Sequence, residues 1–291
     1  MTQLQDAATA VCPKQASSAI RSILVHVEST AEAQPRLHAA VGLARKLDAT
    51  LIGVGAEMVQ VLGLADSYGA MDSGWVVELQ KLVADNLRSA EATFHAKAAG
   101  LRTEWLALEG LPALMIAQVS RSADLILAGG APLKFKDAYR VAQSAELVLT
   151  SGRPVLVAPP QGAKFNGEAV VVAWKDTREA RRAVADALPF LQMAEDVVVQ
   201  EICSDDAFGG AELHTFAVVE NLKRHGVPAR AKVTIAPSER AATELNITAQ
   251  AIGADLIVAG GYGHSRLGEW VFGGVTHTLL HDPERFVLLS H

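Results

Sequence analysis

The chain has 291 residues, half of them hydrophobic, a fifth charged and only 5% aromatic. That length is comfortable for two domains, and the balance excludes a chain too polar to bury a core. A formal net charge of −6, from 26 basic and 32 acidic side chains, argues against a nucleic-acid partner, because a phosphate backbone selects basic surfaces.

Residues 1 to about 20 read as a loose leader. Asp6 interrupts them and they contain no continuous apolar stretch, so they fail as a secretory signal. No run of about 18 apolar residues escapes a charge, so no membrane span is expected. Two cysteines, Cys12 and Cys203, cannot make a disulfide framework and read as reduced thiols of a cytoplasmic chain. Strands are predicted at Ile23–Val27, Thr50–Val54, near Arg102–Leu108, at Asp124–Ala128 and at Val155–Ala158. Helices are predicted at Pro35–Leu47, Val76–Ala99, Pro112–Ser120 and between the last two strands. The segment Glu57–Trp75 is long for a loop and reads as a lid or a short amphipathic helix.

The second half repeats this order. Asp124-Leu-Ile-Leu-Ala-Gly-Gly130 returns as Asp255-Leu-Ile-Val-Ala-Gly-Gly261, 131 positions later. The same offset lays Val155-Leu-Val157 on Phe286-Val-Leu288. Strands are predicted at Val170–Trp174, Val197–Ile202, near Ala231–Ile235, at Asp255–Ala259 and at Phe286–Leu289. Helices are predicted at Arg178–Leu188, Ala211–His225, Ala241–Ile252 and Val275–His281. Apolar strands alternating with amphipathic helices imply parallel sheets covered on both faces, that is, two tandem doubly wound α/β domains. Boundaries are expected at 20–160 and 168–291, with the Pro- and Gly-bearing stretch 159–167 as the linker.

In an open α/β sheet, ligands bind beyond the carboxyl ends of the strands. After the fourth strand of half two stands Gly260-Gly-Tyr-Gly-His-Ser-Arg-Leu-Gly268, and Gly273-Gly-Val-Thr276 follows before a helix. Gly260 and Gly263 let a backbone approach a ligand, and Gly273 and Gly274 precede a helix N-terminus that favours an anion. His264, Ser265 and Arg266 can donate to phosphate oxygens. On spacing alone the glycines equally serve as turns. They form neither a Walker A loop nor a dinucleotide fingerprint.

Gly260-x2-Gly263-x9-Gly273 followed by a small residue resembles the nucleotide motif of the universal stress proteins (UspA family), written G-x2-G-x9-G-(S/T). The two-copy layout resembles the tandem type. The resemblance implies a Rossmann-like fold of the flavodoxin or adenine-nucleotide α-hydrolase kind. It implies pairing of the two domains through the last strand of each, forming a pseudo-dimer, with a homodimer as a further option. It also implies ATP or a related adenine nucleotide, alone or with magnesium. Carried over, Gly260, Gly263, Gly273, Gly274, Val275 and Thr276 hold phosphates and ribose, with His264, Ser265 and Arg266 beside them. Ala173, Lys175 and Ile202 border the adenine, and Ala259 lies under the sugar or base. Two departures stand out: Gly274 replaces the motif's hydroxyl residue, and Lys175, a donor only, replaces the acid usual after the first strand.

Half one lacks the motif: Gly263 maps to Pro132, Gly273 to Ala142, Gly274 to Gln143 and Thr276 to Ala145. Glu28 sits near that vacated site. One nucleotide site at most is therefore expected, in half two. No nucleophile elbow or acid–base pair is present, so catalysis is not expected beyond slow ATP hydrolysis. An adenylyl transferase lacks its usual signatures here. His277, His281 and Asp282 have a metal-site spacing but no third partner of the right kind, and read as a solvated helix end. The leading reading is a nucleotide-binding stress protein. The alternative is a scaffold that acts through unidentified protein partners and takes no nucleotide.

Overall fold

The structure is a computed structural model that describes residues 20–59, 73–129, 138–261, 274–281 and 283–291. Half one runs β1 (Ser22–His26), α1 (Ala33–Leu47), β2 (Thr50–Glu57), α2 (Ser73–Lys97), β3 (Thr103–Glu109), α3 (Pro112–Val119), β4 (Leu125–Gly129), α4 (Ser144–Thr150) and β5 (Val155–Ala158). Half two runs β6 (Ala169–Trp174), α5 (Arg178–Leu191), β7 (Asp196–Cys203), α6 (Phe208–Arg224), β8 (Ala229–Ile235), α7 (Ala241–Ala251), β9 (Leu256–Gly260), α8 (Gly274–His281) and β10 (Phe286–Ser290). The predicted elements are all present, with ends shifted by a few residues.

The ten strands form one sheet in the order β3-β2-β1-β4-β5-β10-β9-β6-β7-β8. Each half is parallel within itself, as its buried, apolar strands require. The halves meet where β5 and β10 pair antiparallel, Val157 against Val287 and Leu156 against Leu288. Reading outward from that seam, each half has the same strand order. The chain is thus a doubly wound tandem joined through the last strand of each copy.

Helices cover both faces, and two apolar clusters result. One lies under α1, α2, α5 and α6 and contains Leu37, Phe94, Phe190 and Phe286. The other lies under α3, α4, α7 and α8 and contains Ile116, Leu147, Leu245 and Leu279. Among the described residues, no helix is long and apolar enough to cross a membrane.

Two elements run further than their sequence suggests. β2 continues to Glu57, through small residues that leave room for a ring. A Cβ at Gly53 would lie 2.7 Å from Trp105 Cε3, and one at Gly55 would lie 2.9 Å from Trp105 Cζ2. The indole of β3 therefore rests on bare backbone. α5 continues past Pro189 to Leu191 because Phe190 and Leu191 are fully buried and anchor the last turn.

The repeated aspartate has a structural role in both halves. Asp124 Oδ2 accepts from the backbone N–H of Arg21 (2.8 Å) and Ser22 (3.0 Å) at the start of β1. Asp255 accepts from the N–H of Asn166 (2.5 Å) and Gly167 (3.0 Å) ahead of β6. Each carboxylate ties the entry of the first strand to that of the fourth. The linker is also fixed: Phe165 is buried, packed edge-on against Phe190 and Phe286 at 5.4 and 5.3 Å between ring centres.

Candidate functional site

The strand order reverses between β6 and β9 in half two, and between β1 and β4 in half one. Those are the positions where a doubly wound sheet opens a crevice. In half two, Ala173 on β6 lies directly beside Ala259 on β9. Ala173, Ile202 and Val275 all pack against the α7/α8 cluster, which also contains Ala259. Thr276, on the first turn of α8, is buried. Four of the expected contacts are therefore on one face of the sheet, at the carboxyl ends of its strands. Lys175 follows β6 and is exposed.

Gly260 ends β9 against the start of α5. A Cβ there would lie 2.6 Å from Ala180 N and 2.7 Å from the Glu179 carbonyl carbon, so only glycine fits. Gly274 begins α8. The expected site residues Gly263, His264, Ser265, Arg266 and Gly273 lie outside the described residues, as do Cys12, the side chain of His281, Asp282, and residues 60–72 of the long segment. Among the described residues, no group of three His, Cys, Asp or Glu side chains is arranged to hold a metal ion.

Half one uses the equivalent place differently. Val25 pairs with Leu127 and Val172 pairs with Val258, so the register makes His26 the counterpart of Ala173 and Glu28 that of Lys175. His26 is buried, its Nε2 3.2 Å from the carbonyl oxygen of Ala56, which is the counterpart of Ile202. Its Nδ1 is 3.3 Å from Glu28 Oε2. Arg36, also buried, donates from Nε to the His26 carbonyl (3.0 Å) and from Nη2 to Glu28. A Cβ on Gly129 would lie 2.8 Å from Arg36 Nη1. The glycine that meets the first turn of α5 in half two thus meets a guanidinium in half one.

The charges are mutually arranged. Burial alone raises the Glu28 carboxyl, but the Arg36 guanidinium outweighs it and holds the group below the ordinary carboxylate range. Burial lowers the His26 imidazole, with Arg36 adding to that and Glu28 opposing it, so the ring is held neutral more strongly than a free histidine.

A second layer closes the same end of half one. Arg140 Nε lies 3.1 Å from Glu57 Oε1, and Arg140 Nη2 donates to Ser29 Oγ at 3.3 Å. Asn86 Nδ2 donates to Glu57 Oε1 at 3.0 Å, and the Met58 N–H to the Tyr139 carbonyl at 2.9 Å. Burial raises the Glu57 carboxyl against the pull of Asn86 and Arg140. Sequence reasoning missed His26, Arg36, Glu57, Asn86 and Arg140. His26-x-Glu28 at a strand end was a readable signal, whereas Arg36 looks like any solvated helix arginine.

On the other face of half two, His214 of α6 stands between two carboxylates. Its Nδ1 is 3.7 Å from Glu201 Oε2 and its Nε2 4.0 Å from Asp176 Oδ2. Burial raises the Glu201 carboxyl, with His214 opposing. Burial also raises the Cys203 thiol, which argues against a reactive thiolate.

No protein-family model matches the chain, and no curated protein is similar to it. Solved structures are. A universal stress protein from Archaeoglobus fulgidus matches with a TM-score of 0.67 at 16% identity, over 92% of this chain and 95% of that one. A structure from Pseudomonas aeruginosa assigned to the universal stress proteins matches with a TM-score of 0.57 at 18% identity, over 94% of each chain. A functionally unknown protein from Pseudomonas aeruginosa matches with a TM-score of 0.53 at 17% identity, over 95% and 94%. The chain has the fold of these proteins over more than nine-tenths of its length.

Proposed function

We propose that this chain is a tandem universal stress protein that binds one adenine nucleotide, ATP or a relative of it, in half two. The observation that supports it is the contrast between equivalent positions. Half one fills its crevice with His26, Glu28 and Arg36. Half two has Ala173 in the place of His26 and the exposed Lys175 in the place of Glu28, with Ala259 directly beside Ala173. Small side chains on that face fit a flat base with a sugar. Val275 and Thr276 lie in the first turn of α8, whose free N–H groups favour an anionic group. The sequence motif through Gly263 and Gly273, with His264, Ser265 and Arg266, supplies the phosphate donors in this reading.

The sequence offers neither a nucleophile elbow nor a dedicated acid–base pair, so the reading is a binding module rather than an efficient enzyme. The nucleotide would supply a polyphosphate and a base; the chain would hold and orient both. Lys175 favours a second reading. It is exposed where the resemblance expects a carboxylate, and as a donor it cannot accept from ribose hydroxyls. A scaffold without nucleotide is therefore the alternative. The site would serve a stress response in a cytoplasmic protein under either reading.

Calorimetric titration of nucleotide-free protein with ATP and magnesium separates the two. About one site per chain at micromolar affinity, ~8 kcal/mol, supports the proposal. Two sites would overturn the closed reading of half one. No heat at several temperatures, with an unchanged melting point, would leave the scaffold.

A further inference from the structure

The glycine stretch of half two begins at Gly261, the first residue after β9, and half one reaches it. The Gly261 N–H donates to the Ser290 carbonyl at 2.8 Å, and its own carbonyl lies 3.0 Å from His291 Nδ1. Its remaining side faces the other half: a Cβ on Gly261 would lie 2.5 Å from Cγ1 of Val148, on α4. Val148 is buried, 2% exposed, so its methyl has no free space to retreat into.

Helix α4 is anchored at its other end to the filled crevice of half one. Ser144, its first residue, donates its hydroxyl proton to the Gly129 carbonyl. Gly129 is the residue that faces Arg36. Just before the helix, Arg140 is tied to Glu57 and Ser29, and the Tyr139 carbonyl to Met58. Hydrogen bonds, an ion pair and the chain itself therefore connect Glu57 and Arg36 to α4, and Val148 connects α4 to Gly261.

We propose that α4 of half one is a positioning element for the ligand site of half two, with Val148 against Gly261 as the point of transmission. Half one then acts on the nucleotide of half two without binding one. The effect on affinity rests on the nucleotide reading above; the contact itself does not.

The test has a ligand-free arm and a ligand arm. In the first, hydrogen exchange of the Gly261 amide is followed in wild type, Val148→Ala and Ile116→Val, the last a buried control on α3. After correction for global stability, Val148→Ala should lose about tenfold of the Gly261 protection while Ile116→Val loses none. Gly261→Ala should lower the melting point by overlap with Val148, and Val148→Ala/Gly261→Ala should recover it. Equal protection in Val148→Ala and the control, or no recovery in the double variant, overturns the contact. In the second arm, Val148→Ala should weaken ATP binding about three- to tenfold with unchanged stoichiometry. An unchanged Kd alongside a loosened Gly261 amide overturns the coupling. A wild-type protein that binds no ATP overturns the nucleotide reading and leaves the first arm standing.

Discussion

Arg36→Met removes one partner of a buried ion pair and leaves the other in place. Glu28 and Arg36 are 5% and 6% exposed, so water cannot replace the lost guanidinium. What remains beside Glu28 is His26 at 3.3 Å, a ring that burial keeps neutral. Stranding a buried charge in this way costs about 3–5 kcal/mol. At roughly 2 °C per kcal/mol for a chain of this size, the melting point should fall ~6–10 °C. The pH dependence has a definite sign. In the native protein the Glu28 carboxyl is held low, so its contribution is present above its unfolded value and is lost as pH falls through the folded one. Without Arg36, burial dominates and the carboxyl rises, so the deficit should grow as pH rises. Thermal melts of wild type, Arg36→Met and Glu28→Gln/Arg36→Met at pH 5 and pH 8 test this. The double variant carries no stranded charge and should recover to within about 2 kcal/mol of wild type. A deficit below about 1 kcal/mol, a deficit flat with pH, or a double variant no better than the single one refutes the reasoning.

Other outcomes follow from the same physics. Burial raises the Glu201 carboxyl, so its contribution is present below its unfolded value and is lost as pH rises through the folded value. Glu201→Gln should flatten that decline and stabilise the protein at pH 8 by about 1 kcal/mol; denaturant melts across pH 4–8 would show it. Asp124→Ala and Asp255→Ala each remove the acceptor of two backbone N–H groups, one of them on an exposed residue, and should each cost about 1–2 kcal/mol in denaturant unfolding. β4 and β9 are three strand spacings apart in the sheet, roughly 14 Å, so the double variant should be additive within about 0.5 kcal/mol. A strongly non-additive result would mean the two strand entries are coupled through the seam.

The two-fold layout was legible because Asp124–Gly130 and Asp255–Gly261 are nearly identical and carry the surrounding elements with them. The direction of the seam was not legible from periodicity: β5 and β10 have the same apolar pattern whether they pair parallel or antiparallel. The family resemblance supplied the pairing through the last strands and left its direction open; the antiparallel sense is read from the structure. The reason for the repeated aspartate was hidden for a different cause. Its partners Arg21 and Ser22 lie about a hundred residues away in sequence and bind mostly through backbone N–H groups, with the Ser22 hydroxyl as the one side-chain partner among them. Ala173, Ile202 and Ala259 could be assigned to strand ends from sequence because apolar runs define those ends well; that they share one face is read from the structure. Arg36 was missed because helix periodicity marks which positions face inward only when they are apolar. Its burial among charged partners depends on Glu28 and on the bare Gly129, neither of which lies on its helix.

The seam explains why a half that has filled its own crevice is still needed by the other. Every residue of β10 from Phe286 to Leu289 is at most 1% exposed, and its outer edge is paired by β5. Taken alone, half two would present that strand as a flat, wholly apolar edge with no charge on it, the kind of edge that recruits other strands. Half one removes that edge with Val155, Leu156 and Val157, themselves fully buried. The same geometry puts α4 beside the seam, which is how Val148 reaches Gly261. A crevice filled by Arg36 and Glu28 is compatible with both roles, since neither requires half one to hold a ligand. Once the ligand is given up, an internal ion pair and a buried imidazole hold the strand ends and α4 in one arrangement. The seam is thus held from the side whose strand ends are tied together by buried charges.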